Sequence, residues 1–277
     1  MSLDHAYSPT LLEGRVAFIT GGARGQGRSH AIALARAGAD IAICDSVSEL
    51  PTVPYELSTE ADLAETRALV EAEGRRCLAE RVDVRDLAGL EAFAARSASE
   101  LGGLDFVIGN AGIYSYAPNT WELTEEQWDV MLDVNLGGVW RTCKATVPHM
   151  IAAGRGGVIV LISSVNGLRG IPGVAHYNAA KHGLVGLMRT MALELAPHGV
   201  RVNTLHPTAV ATGMTENDAM ADALAAVESS GVDMTNLLPV ELMDPEDVSN
   251  ALVWLVSPLA RYVTASVVPV DAGCTAK

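Results

Sequence analysis

Tyr177 and Lys181 are separated by four positions in the run Tyr177-Asn178-Ala179-Ala180-Lys181. The surrounding stretch, residues 175–196, has a composition suited to a helix. On a helix this spacing puts both side chains on one face, one turn apart. An ammonium beside a phenol favours the phenolate, so the tyrosine is predicted to titrate below its usual value of about 10. Tyr177 then becomes a proton donor and acceptor near neutral pH. The pattern is common, and a surface tyrosine and lysine can share a helix face by coincidence. The remainder of the chain decides between these readings.

The segment Thr20-Gly21-Gly22-Ala23-Arg24-Gly25-Gln26-Gly27 follows a short apolar run and leads into a helical pattern. Such a turn needs residues without Cβ so that backbone amides can approach a pyrophosphate, and the following helix start adds partial positive charge. Gly21, Arg24, Gly25, Gln26 and Gly27 are therefore candidate phosphate-binding residues. Glycine spacing alone is a weak signal, and its place between the first strand and first helix strengthens it.

Asp45 ends the second apolar run, eighteen residues after Gly27. A carboxylate there can accept hydrogen bonds from both adenosine ribose hydroxyls and would repel a 2′-phosphate. Arg24 could serve such a phosphate, but residue 46 is Ser, which provides no second cation. NAD is favoured over NADP. Asp83 and Val84 follow the third run and are placed to meet the adenine. Asn110, Ala111 and Gly112 end the fourth, at the carboxyl edge where open α/β sheets bind ligands.

The elements that must position these groups alternate in type. Strand-like runs fall at 15–20, 40–45, 77–83, 104–110, 158–164, 200–206 and 267–271. Helical stretches fall between them, at 25–37, 61–73, 87–101, 125–151 and 247–256 among others. The alternation predicts an α/β fold, a single doubly wound parallel seven-stranded sheet with helices on both faces. The strands are apolar throughout, as when both sheet faces are covered. Residues 1–13 read as an N-terminal extension and 14–277 as one NAD-binding and catalytic Rossmann domain. Residues 46–58, with two prolines, read as an inserted loop, and 209–239 as a substrate lid.

Bulk properties narrow the function further. Of 277 residues 49% are hydrophobic and 19% charged, enough for a sizeable core. A net charge of −14 argues against nucleic acid or an anionic membrane as partner. The apolar runs are strand length, so no membrane span is expected. Residues 1–13 lack the pattern of a signal peptide, which makes a cytoplasmic location the expectation. Cys44, Cys77, Cys143 and Cys274 form no C-x-x-C pair, and the seven histidines form no metal-spaced pair, so neither a disulfide frame nor a metal is predicted. His176 and His206 could line a substrate pocket. Trp121, Trp128, Trp140 and Trp254 are expected in the core or at subunit contacts, and Met188, Met191 and Leu195 in packing against the core or a neighbouring subunit.

Taken together, the glycine loop, the Asn110-Ala111-Gly112 run, Ser164 thirteen residues before Tyr177, and Y-x-x-x-K resemble the short-chain dehydrogenase/reductase family in order and spacing. The resemblance spans about residues 14–273. It implies that Tyr177 is the acid/base, that Lys181 lowers its pKa and holds the nicotinamide ribose, and that Ser164 hydrogen-bonds the substrate oxygen. It also implies that Asn135 anchors a water relaying protons to Lys181. The run 206–212 would bind the nicotinamide end, with Pro207 leading into it, Val210 on the carboxamide and Thr212 toward the pyrophosphate. Gly109, Thr208 and Ala265 depart from the family's usual residues without removing a catalytic group. A homotetramer is implied by the family.

A narrower resemblance, carried by residues 21–31 and by Thr52-Val53-Pro54-Tyr55, is to the mycofactocin-associated, carveol-dehydrogenase-like branch. It implies an actinobacterial source, NAD that stays bound through turnover under the 46–58 loop, and an external redox carrier. The expectation is an NAD-dependent oxidoreductase acting on a secondary alcohol, terpenoid or alicyclic in view of the apolar lid and the 113–121 loop. The alternative is a non-catalytic NAD-binding sensor or scaffold.

Overall fold

The computed structural model describes residues 7–277. Seven strands, β1 (Val16–Thr20), β2 (Asp40–Asp45), β3 (Cys77–Arg81), β4 (Phe106–Gly109), β5 (Gly157–Ile162), β6 (Val200–Pro207) and β7 (Val267–Val270), form one sheet in the order β3-β2-β1-β4-β5-β6-β7. Every neighbouring pair is parallel. The order reverses at β1, which lies between β2 and β4, and this switch opens a crevice at the carboxyl ends of the strands.

The helices are α1 (Gly25–Arg36), α2 (Glu60–Ala72), α3 (Leu87–Leu101), α4 (Glu125–Leu132), α5 (Val139–Ala153), α6 (Ala175–Leu195), α7 (Asp218–Ser229) and α8 (Pro245–Val256). Strand side chains alternate between two apolar layers. Ala17, Ile19, Phe106 and Ile108 join Leu34 of α1 and Leu252 of α8 on one face. Val16, Phe18 and Val107 join Phe93 of α3, Met150 of α5 and Met188 of α6 on the other. The continuous apolar strands thus follow from a sheet covered on both sides. Met191 and Leu195 are buried in the second layer as expected.

Of the expected N-terminal extension, residues 1–6 lie outside the described residues. The rest packs on the domain: Leu12 is buried against α1, and its N–H donates to Ala37 O at 2.8 Å. The single helix expected over 125–151 is two helices joined by a π-helical turn, Asp133–Gly138. Gly138 closes this turn against Val84, where a Cβ would stand 2.5 Å from Val84 Cγ2.

The insertion at 46–58 holds neither helix nor strand and ends where Thr59 and Asp62 form a capping box for α2. It folds back over the crevice. Its Leu50, Val53, Tyr55 and Leu57 join Val84, Ile113 and Tyr177 in a third apolar cluster, together with Val227, Val232 and Met234 from the 209–239 segment. That segment contains α7, and its Val210 is bridged to Met243. Trp121 is 84% exposed and Trp128 and Trp140 also face solvent, so these three are not core residues; Trp254 packs partly against the first layer.

Candidate active site

A cleft runs along the carboxyl edge of the sheet from Asp45 to Tyr177 and Lys181. Its floor is the turn between β1 and α1. Gly21 has φ +67°, and a Cβ on it would lie 2.8 Å from Ala111 Cα; a Cβ on Gly27 would lie 2.0 Å from Gly21 O. Gly25 opens α1, and Arg24 at the N-cap makes no side-chain cap bond, which leaves the first-turn amides available to an anion. Gln26 Oε1 is buried with no hydrogen-bond partner among the described residues. The free first-turn amides and the bare glycine backbone fit the phosphates of a dinucleotide.

Asn110 secures this floor. Its Nδ2 donates to Thr20 O at 3.0 Å and Gly21 O at 3.1 Å, while its own N–H and that of Ala111 donate to Thr20 Oγ1. Asp45 lies at the far end, its Oδ2 accepting from Ala23 N–H at 3.1 Å and its Oδ1 from Ser58 O–H at 2.6 Å. Arg24 donates to Glu56 O in the inserted loop, so it faces the loop. Asp83 lines the cleft beside Val84. Burial works against its charge, but Arg85 donates to both carboxylate oxygens and holds the carboxyl below its usual range.

At the other end α6 carries Tyr177 and Lys181, both buried. Lys181 Nζ donates to Ile162 O at 2.8 Å and stands 5.5 Å from the centre of the Tyr177 ring. The predicted lowering of the phenol does not occur in the protein alone. Burial pushes Tyr177 up to about 12, with the Ser164 hydroxyl acting in the opposite sense, and burial brings Lys181 down to about 8. Both groups have lost water, and at this separation the desolvation of a phenolate outweighs its attraction to the ammonium.

Ser164 caps the short turn Val165–Gly167, its Oγ accepting from Asn166 N–H at 3.2 Å. Asn135 lies in the π-helical turn, fully buried, and clamps one residue from both sides: Oδ1 accepts from Ile113 N–H and Nδ2 donates to Ile113 O, each at 2.8 Å. Gly112 fits between, since a Cβ there would approach Asn135 Oδ1 at 3.4 Å and Lys181 Nζ at 3.6 Å. Of the 206–212 run, Thr212 lines the cleft near Gly25, whereas Pro207 ends β6 and Val210 is buried against the core. His206 shares hydrogen bonds with Ser164 O and Thr204 Oγ1, and His176 with Ser115 Oγ; both are fully buried, and neither lines the cleft. Sequence reading missed Tyr55, Ser58, Arg85 and Met214 as cleft residues. The two-proline insertion pointed to the first two, and the segment read as a lid contains Met214.

A family model described as "Enoyl-(Acyl carrier protein) reductase" (adh_short_C2) matches residues 21–275. A (-)-trans-carveol dehydrogenase of Rhodococcus erythropolis is 48% identical over 274 residues, covering 96% of this chain and 99% of that one. The chain belongs to the short-chain dehydrogenase/reductase family. Within that family, an uncharacterized NAD-dependent oxidoreductase of Mycobacterium tuberculosis is 47% identical over 267 residues, 95% of this chain and 96% of the relative. A solved structure of carveol dehydrogenase from Mycobacterium avium in complex with NAD superposes with a TM-score of 0.91 at 43% identity, covering 97% of this chain and 100% of that one. Among the described residues no helix is long and apolar enough to cross a membrane, and no cluster of potential metal ligands is found.

Proposed function

We propose that this dehydrogenase transfers hydride between a secondary alcohol or its ketone and NAD, with Tyr177 as acid/base. The observation that carries the proposal is one continuous cleft with a phosphate-fitting turn and Asp45 at one end and Tyr177 with Lys181 at the other. The NAD bound to the Mycobacterium avium carveol dehydrogenase supports the cofactor assignment. Gly21, Arg24, Gly25, Gln26 and Gly27 would hold the pyrophosphate, Asp45 the adenosine ribose, Asp83 and Val84 the adenine edge, and Asn110, Ala111 and Gly112 the middle of the cofactor. Lys181 would hold the nicotinamide ribose, the backbone of the Pro207–Val210 segment would back the nicotinamide end, and Thr212 would lie toward the pyrophosphate beside Gly25.

NAD⁺, held by these residues, would supply the hydride acceptor and a positive charge to the centre. Tyr177 takes the hydroxyl proton as hydride leaves carbon, and Ser164 stabilises the substrate oxygen. Lys181, held against Ile162 O, favours the phenolate electrostatically. The π-helical turn at Asn135 interrupts the regular helical ladder where the family places a proton-relay water.

The substrate side is apolar: Ile171, Val174, Val227 and Met234 share an apolar cluster with Tyr177. With a carveol dehydrogenase among the relatives, this supports a terpenoid or alicyclic alcohol. The 46–58 loop, latched to Arg24 and Asp45, supports slow NAD exchange. Exposed Trp128 and Trp140 on α4 and α5 support a homotetramer joined through those helices. The test is turnover with a panel of terpenoid and alicyclic alcohols, in the parent and in Tyr177→Phe. Loss of turnover with NAD still bound supports the proposal; equal turnover in both proteins refutes it.

A further inference from the structure

Residues Ile113, Ser115 and, between them, Tyr114 form irregular backbone buried beside the catalytic tyrosine, and each has a partner from a different element. Asn135 of the π-helical turn takes both the N–H and the C=O of Ile113. His176 of α6 shares a 2.8 Å hydrogen bond with Ser115 Oγ. The N–H of Tyr114 donates to the phenol oxygen of Tyr55, at 3.0 Å, across 59 residues of sequence. A half-buried N–H has little water to replace such a partner, so Tyr55 helps hold residue 114 in place. The Tyr114 ring in turn meets the Tyr177 ring edge-on, with centroids 5.2 Å apart and planes at 72°. That contact limits the swing of the acid/base ring and keeps water from one of its sides.

We infer that Tyr114 is a positioning residue for Tyr177 and that Tyr55 of the inserted loop holds it there, so the insertion completes the alcohol side of the centre as well as covering the cofactor cleft. The inference rests on the reading of Tyr177 as acid/base. The same wall meets the alcohol: Tyr114 shares its apolar cluster with Ile171, Val174 and Val227, and its displacement would widen the space beside Tyr177. Misplacement of a reacting group by about 1 Å can cost roughly a hundredfold in rate.

The experiment compares Tyr55→Phe, Tyr114→Ala and Tyr114→Phe with the parent, each saturated with NAD. Tyr55→Phe keeps the ring and removes only the acceptor. Its kcat should fall about tenfold, and that of Tyr114→Ala about a hundredfold, while the KM for NAD changes less than about threefold. Tyr114→Phe should recover most of the turnover lost in Tyr114→Ala. A normal kcat in Tyr55→Phe with a raised KM for NAD would confine the loop to cofactor retention and overturn the inference.

A second readout needs no substrate. The ultraviolet phenolate titration of Tyr177 is taken as the difference between each NAD-saturated protein and its Tyr177→Phe counterpart. Lys181 and Ser164 face Tyr177 in every variant, and neighbouring His176, brought down to about 4 by burial, stays neutral over the range. Water admitted in Tyr55→Phe and Tyr114→Ala should move the titration to lower pH, with Tyr114→Phe like the parent. One common midpoint would overturn the inference. If the parent oxidises no alcohol in the panel, the assigned reaction fails, and this titration alone decides whether Tyr55 and Tyr114 hold Tyr177.

Discussion

The hydroxyl of Ser58 donates to Oδ1 of Asp45 at 2.6 Å, tying the end of the inserted loop to the carboxylate at the adenosine end of the cleft. Together with the bond from Arg24 to Glu56 O, it anchors the loop to both β2 and the glycine turn. Opening the cleft requires breaking both. Hydrogen bonds to a charged partner contribute about 1.5–3 kcal/mol, so Ser58→Ala should speed NAD release at least about tenfold. Displacement of bound NADH followed by its fluorescence measures the rate, and an unchanged rate removes the latch.

Asp45 should also set the choice between dinucleotides. Its carboxylate already accepts from Ala23 and Ser58, and a 2′-phosphate would bring a second negative charge to the same place. Asp45→Ala should reduce the preference for NAD over NADP about a hundredfold, since like-charge contact costs several kcal/mol. The ratio of kcat/KM values for the two cofactors tests it.

Lys181 should make the protein less stable than its uncharged variant below pH 8. Burial lowers its pKa from 10.5 to about 8, so between those values the unfolded chain binds the extra proton and stability rises with pH. Other groups titrate there too, so the quantity to follow is the difference from Lys181→Met. That difference should shift toward the parent by about 3 kcal/mol between pH 8 and 10.5. Urea unfolding at several pH values provides it, and a flat difference would mean that Lys181 is solvated.

The backbone of Ala265 is left-handed, with φ 54°. A Cβ in that conformation costs roughly 1–2 kcal/mol, partly offset by the greater freedom of Gly in the unfolded chain. Ala265→Gly should therefore raise Tm by about 2 °C in a chain of this size. A lower Tm in differential scanning calorimetry would show that the strain is relieved elsewhere.

Much of this molecule is written locally. The bounds of β2 and α3 match the sequence pattern, because an unbroken apolar run and a cap residue such as Asp86 are short-range signals. The glycine turn and the Tyr177–Lys181 spacing are equally local, since backbone approach and helical periodicity depend on near neighbours. Other features depend on residues far apart in sequence. The closeness of Gly138 to Val84 at the break between α4 and α5 is one, and no helical periodicity contains it. The high pKa of Tyr177 comes from the depth at which the fold buries it, not from the lysine one turn away. The bond between Tyr55 and Tyr114 exists because the insertion folds back over the crevice. The sequence by itself determined which groups are candidates for the chemistry and which local elements carry them. Only tertiary packing decided how dry those groups are and which distant side chains hold them, because desolvation and long-range hydrogen bonds arise when the chain closes on itself.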